Sequence, residues 1–269
     1  MTISRGARAL LAACTALILA FIYVPLGIVV INSFNTSRTF AWPPTGFTTK
    51  WWKAAWHSVG AREALALSLE IAVIAMIISL VLGTMAALAL QRYRFFGRDA
   101  VSLLIILPIA LPGVVTGIAL QNAFTTILGI NLGFWTIVVA HATFCIVTVF
   151  NNTIARLRRV GGNLEEASMD LGAGTFRTFR LVTFPMLRSA LLAGGLLAFA
   201  LSFDEIIVTT FTAGTERTLP IWILDNMFRP NQAPIVNCVA AALIVVSIIP
   251  IWIAQKLSAD DEALPGAAG

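Results

Sequence analysis

Of the 269 residues, 58% are hydrophobic and only 12% charged, where a soluble domain carries roughly a quarter. A mean hydropathy of +0.88 confirms the imbalance, which excludes both an ordinary soluble protein and a disordered one. The net charge of +5 suits a nucleic-acid partner only if the basic residues form one patch, and they are instead spread between apolar runs.

Six runs are long enough to cross a bilayer as helices, since about 20 residues rising about 1.5 Å each cover the hydrocarbon layer. They lie near residues 10–32, 64–90, 101–120, 133–151, 187–212 and 234–255. The sequence therefore predicts an all-α membrane protein with six transmembrane helices in a single domain, residues 1–269. Arg5 and Arg8 precede the first run, which is longer than the apolar core of a signal peptide and lacks a small-x-small cleavage site, so it reads as a retained helix. The following loop holds Trp42, Trp51, Trp52 and Trp56 with Lys50 and Lys53, a mixture suited to the headgroup layer of the outer surface. Pro108, Pro112, Gly113 and Gly117 interrupt the third run, as a packed kink or as a flexible element beside a pathway. His57 falls in the outer loop and His141 in the fourth run, where it reads as a polar residue packed between helices. Cys14, Cys145 and Cys238 lie far apart in or beside apolar runs and read as small buried side chains, with no metal-binding or redox spacing.

Orientation follows from the basic residues. With the amino terminus cytoplasmic, twelve of the 18 Arg and Lys fall in inside segments and six outside. That bias predicts both termini in the cytoplasm.

The inside segment between the fourth and fifth runs, residues 153–187, is the longest and most charged. Asn163 is a suitable N-cap, and Glu165 and Glu166 stand where a helix dipole favours acids, predicting a helix from Leu164 to about Leu171. Gly172 and Gly174 stop it. Phe176, Phe179 and Val182 recur at helical spacing, which predicts a second amphipathic helix ended at Phe184 by Pro185.

Three acids in or near the runs are functional candidates because charge is costly in a membrane. Glu70 and Asp204 fall toward the outer side, Asp204 about 24 Å along a helix from Arg188. On a continuous fifth helix, Ser202, Glu205, Thr209 and Thr212 share one narrow arc, a polar stripe, while Asp204 points about 100° away. Carboxylates at an outer mouth attract a cation; the structural alternatives are pairing with a partner's basic residue or capping a bend.

The loop also carries a resemblance. Glu166-Ala167-Ser168, then Gly172, Val182 and Phe184-Pro185 resemble the EAA motif, Glu-Ala-Ala-x3-Gly-x9-Ile-x-Leu-Pro, of the membrane subunits of binding-protein-dependent ABC importers. Ser168, Val182 and Phe184 are conservative departures. Tyr23 to Leu26, Asn32 to Asn35, Leu80 to Gly83, Arg92-Tyr93-Arg94, Leu107 to Pro112, Gly117-Ile118, Ser202 to Glu205 and Leu219-Pro220 are similar to the spermidine/putrescine branch. The resemblance implies the architecture of a type I importer permease in a bacterial inner membrane. It places Glu165, Glu166, Ala167, Ser168, Gly172, Val182, Phe184 and Pro185 in an ATPase-coupling loop, with Glu70, Ser202, Asp204, Glu205 and Thr209 left as substrate-pathway candidates. It implies a second homologous permease subunit, a cytoplasmic ABC ATPase dimer, an extracytoplasmic substrate-binding protein and membrane lipid as partners, and no nucleic acid. ATP and Mg would be bound by the ATPase, leaving this chain without a cofactor or metal of its own. Consistently, Lys50, Lys53 and Lys256 are the only lysines and none follows a glycine, so the chain lacks a phosphate-binding Gly-x4-Gly-Lys loop. The alternatives are the same architecture carrying iron, sulfate or a sugar, a self-contained secondary transporter, or a membrane enzyme for which no catalytic set appears.

Overall fold

A computed structural model describes residues 4–38, 42–229 and 231–262. Among these the regular secondary structure is helical, apart from an isolated antiparallel bridge between Asn35 and Phe47. Packing divides it into two compact units, residues 1–62 with 222–245, and residues 63–221 with 246–269.

The first unit begins with α1 (Arg5–Asn32), whose N-cap Ser4 accepts a hydrogen bond from the Ala7 N–H. This helix presents an exposed apolar surface along nearly its whole length, Leu17 and Phe21 included. The Asn35–Phe47 bridge turns the chain into α2 (Lys50–His57), where Trp51 donates its indole N–H to the Asn35 carbonyl at 3.1 Å and Trp52 lies 5.5 Å from the Phe34 ring. Lys50 sits over the Trp51 ring. Three of the four tryptophans expected in a loop therefore belong to a short helix, and His57 ends it.

In the second unit α3 (Val59–Arg92) carries the chain into a bent pair, α4 (Arg98–Ala110) and α5 (Gly113–Asn122). Their axes differ by 106°. The expectation of one helix over residues 101–120 is thereby corrected. Pro112 forces Leu111 into extended backbone, φ −83° and ψ 144°, and the helix cannot pass through. A π-helical turn, Ala123–Ile127, ends α5.

α6 (Phe134–Val160) is the hub, the most buried of the five long apolar helices among the described residues. It also runs well beyond the predicted end at residue 151. Gly83 of α3 and Gly194 of α9 (Phe184–Phe203) face it, and a Cβ on Gly83 would stand 2.9 Å from the Ile146 carbonyl oxygen. Phe150, Leu187, Ala87, Leu90, Ile154 and Leu157 close one core cluster. A second cluster joins Ile71, Ile137, Val138 and Ala213.

Between α6 and α9 lie α7 (Asn163–Asp170), α8 (Thr175–Thr178) and a π-helical turn, Phe179–Thr183. The turn runs directly into α9, so that Thr175–Phe203 forms one 29-residue span. The predicted stop at Phe184 is overturned. Pro185 at position i would crowd the Leu181 carbonyl at i−4, and widening the preceding turn into a π geometry removes that conflict and leaves Pro185 in the first turn of α9.

The fifth run does not continue to residue 212. α9 ends at Phe203, Asp204 takes a turn conformation, and α10 (Ile207–Thr212) starts anew. Two glycines one helical turn apart seat α5 on α10: a Cβ on Gly113 would meet Ile207 at 3.4 Å, and one on Gly117 would meet Phe211 at 2.6 Å. This is close backbone approach through small residues. α11 (Leu219–Asn226) and α12 (Ala233–Glu262) complete the chain. Among the described residues five helices are thus long and apolar enough to span, with the bent α4–α5 pair a sixth if it counts as one crossing.

Candidate functional site

The segment from Gly161 to Pro185 is built in three parts. α6 stops at Gly161, φ +70°, whose N–H bonds back to the Leu157 carbonyl. Gly162 then serves as N-cap of α7, and Asn163 is the first helical residue with no side-chain cap bond, which corrects its expected role. Glu165 and Glu166 do occupy the first turn as expected. They face different surroundings: Glu166 is exposed, whereas Glu165 turns inward to Arg92, at 2.6 Å, and Thr183.

The second part is the elbow. Leu171, Gly172 and Ala173 return their N–H groups to the carbonyls of Ala167, Met169 and Ser168, closing the helix. Gly172 has φ +84°, and no atom lies within 4 Å of where its Cβ would stand, so glycine is needed for its backbone conformation rather than for space. Ser168 and Thr178 hydroxyls meet at 3.1 Å across the bend and fix the angle between α7 and α8. The serine at this motif position thus supplies a bond that an alanine could not.

The third part is the start of the 29-residue span. Val182 is half-buried; Phe184 is exposed and, with Phe179, borders an apolar groove of about 580 Å³ that includes Leu80 and Met85 of α3. On the other side of the elbow Leu164, Met169, Leu171 (90% exposed) and Phe176 project outward beside Glu166 and Asp170. Apolar side chains held in water on a fixed elbow, with acids among them, have the composition of a surface suited to contact with another protein.

The outer candidates divide. Ser202 and Thr209, expected on one helical stripe, lie on separate helices, yet both are buried and both bond His141: Nδ1 to the Ser202 hydroxyl and Nε2 to the Thr209 hydroxyl, each at 2.8 Å. Thr209 gives its one proton to the Glu205 carbonyl at 2.8 Å. It therefore accepts from His141 Nε2–H, which leaves Nδ1 to accept from Ser202. His141 does pack between helices, as expected of it, and the node spans the break at residues 204–206. The Glu205 carboxylate accepts the Val208 N–H at 2.9 Å, capping α10, which is the structural alternative raised for it. Asp204 is exposed at the end of α9, and Glu70 is exposed on α3 outside this node. Thr212 is buried and bonds the Val208 carbonyl, while its own carbonyl accepts from Thr136. The sequence offered no signal for Arg92 and Thr183 as partners of Glu165, because 73 and 18 residues separate them from it.

An all-helical chain with membrane-length apolar helices and such an exposed elbow has the architecture of an ABC importer permease. Residues 79–260 match the family of binding-protein-dependent transport system inner membrane components, and the chain belongs to that family. It is 35% identical to the spermidine/putrescine transport system permease protein PotC of Escherichia coli K12 over 244 residues, covering 90% of this chain and 91% of the relative. The putrescine permease PotI of the same organism is 34% identical over 250 residues, 90% of this chain and 88% of the relative. The putative 2-aminoethylphosphonate permease PhnV of Salmonella typhi is 30% identical over 256 residues, 94% and 95%. The fold is shared with a bacterial ABC transporter that imports alginate, with a TM-score of 0.65 at 19% identity over 97% of this chain and 99% of that one. An amino acid ABC transporter gives a TM-score of 0.59 at 19% identity over 81% and 100%.

Proposed function

We propose that this chain is one permease subunit of an ATP-driven polyamine importer. The observation that carries the reading is its similarity over nine-tenths of its length to permeases named for spermidine and putrescine. Exposed Asp204 and the Glu205 carboxylate beside it suit a cationic substrate, since each amine of a flexible polyamine can take a separate carboxylate or hydroxyl partner. The partners are a second, similar permease, a pair of cytoplasmic ATPases that bind ATP and Mg, and an extracytoplasmic binding protein that delivers the amine. The chain itself is a conduit without catalysis or cofactor, set in a bacterial inner membrane with both termini cytoplasmic. ATP binding closes the ATPase pair against the elbow of residues 161–174, the motion passes into the 29-residue span, and access switches from one side of the membrane to the other. The ligand-biased states differ in the contacts made at that elbow, as any such coupling requires.

The test is uptake of radiolabelled spermidine and putrescine by the complete complex in proteoliposomes, with unlabelled competitors. ATP-dependent accumulation displaced by polyamines, and not by sulfate, iron or sugars, is the expected result. PhnV's similarity makes 2-aminoethylphosphonate a necessary competitor: its displacing the label more strongly than polyamines would shift the assignment to an aminophosphonate. Uptake by this chain alone without ATP would make it a secondary transporter.

A further inference from the structure

Arg92 is the last residue of α3, far in sequence from the coupling loop. Its Nη2 donates to Glu165 Oε1 at 2.6 Å and to the Thr183 hydroxyl at 3.0 Å, and that hydroxyl donates to the same Glu165 oxygen at 2.6 Å. The three groups close a triangle in which every edge is a hydrogen bond, each assisted by charge. Thr183 is fully buried and the Glu165 side chain is only 13% exposed, so water competes weakly for the bond between them, while Arg92 is the corner that reaches solvent. Each corner belongs to a different element: the end of a membrane helix, the first turn of α7 and the last residue of the π turn.

The position of Thr183 follows from the motif proline. The π turn that accommodates Pro185 shifts the register of Phe179–Thr183 relative to an α-helix, and Thr183 is the residue it delivers to Glu165. Glu166, by contrast, remains exposed on the outer face of α7. Neighbouring acids in one turn thus have opposite duties, one facing a partner and one facing this chain's own helices.

We infer that Arg92, Glu165 and Thr183 form a second mechanical connection through which movement of α7 is delivered to α3 as well as to α9. The chain itself joins α7 to α6 through Gly161–Gly162 and, through the Gly172 elbow, to the 29-residue span, but not to α3. The triangle ties α7 and the root of that span to α3, so a push on α7 moves both membrane helices together. Arg92 and Thr183 are accordingly positioning residues for coupling, acting through Glu165 and not through the ATPase surface. The inference rests on the coupling-loop reading proposed above.

The experiment uses the assembled complex in proteoliposomes and reads spermidine moved per ATP hydrolysed, together with ATPase retained on affinity purification of this chain. Arg92→Ala, Glu165→Ala and Thr183→Val are each expected to lower that ratio at least fivefold while retaining the ATPase, and Thr183→Ser to preserve it. The double variant Arg92→Ala with Glu165→Ala should be no worse than either single one, and the exchange Arg92→Glu with Glu165→Arg should recover most of the loss. An unchanged ratio in the single variants, losses that multiply in the double one, or losses that only track missing ATPase would each overturn the second connection. Glu166→Ala, run in parallel, separates the two readings. Loss of ATPase attachment there with an intact ratio in the Arg92 variant sinks this inference alone, whereas full attachment and uptake with Glu166→Ala sinks the coupling loop itself.

Discussion

The root and the far end of α9 are held by opposite means. At the root, Thr183 joins a charged triangle with Glu165 and Arg92, next to an elbow that exposes Leu171 and Phe176. About 30 Å along the helix, for its 20 residues, Ser202 joins a neutral node around fully buried His141. Charge suits the first because its Arg92 corner reaches solvent, where an ion pair can form and break without stranding a bare charge in hydrocarbon. Neutral hydrogen bonds suit the second because each of its polar atoms finds a partner where no water could supply one. Under the coupling proposed above, one rod has an end to be moved and an end that holds a broken helix in register.

The comparison is broken most directly at the far end. Gly117→Leu places a side chain where even a Cβ would stand 2.6 Å from Phe211, so α5 must leave α10; a loss of about 3 kcal/mol in unfolding stability and near-complete loss of uptake are expected. Adding Phe211→Ala should restore part of both. His141→Leu removes two bonds and strands the Ser202 hydroxyl without its acceptor, with an expected loss of about 2 kcal/mol by thermal unfolding in detergent. Thr209→Val should reproduce about half of it.

At the root the effects on stability should be smaller and those on coupling larger. Gly172→Ala forces an alanine into φ +84° at a cost of about 1 kcal/mol, and the strain should appear as several-fold weaker ATP-driven uptake with little change in the melting temperature. Glu205→Gln sharpens the division of labour within the far end. The amide oxygen still accepts the Val208 N–H, so folding and assembly should stay unchanged, while polyamine uptake falls a few-fold if the charge serves the cation. Normal uptake in that variant would leave Glu205 with the cap alone.

Much of this was legible in the chain. Four of the six apolar runs contain a continuous helix long enough to span, and the end of a fifth such helix, Thr175–Phe203, lies in the fifth run, because a span needs only length and apolarity and both are local properties. Gly172 as the elbow was legible for the same reason, as was the pairing of acids with the first turn of α7. The breaks were not. Pro112 turned an expected kink into a 106° bend, and Pro185 turned an expected stop into a π turn. A proline announces that an α-helical bond is missing, but how the freed carbonyl is dealt with depends on what packs around it.

The site shows the same division. Sequence alone determined that Glu165 and Glu166 stand side by side on a short helix, and that Ser202 and Thr209 are polar groups in an apolar stretch. Only the folded arrangement decided that Glu165 faces inward to Arg92 while Glu166 faces out, and that Ser202 and Thr209 meet through His141 on a third helix. Local pattern specifies which residues share a helix face, whereas a hydrogen bond between helices depends on distances of a few ångströms set by the packing of every side chain between them.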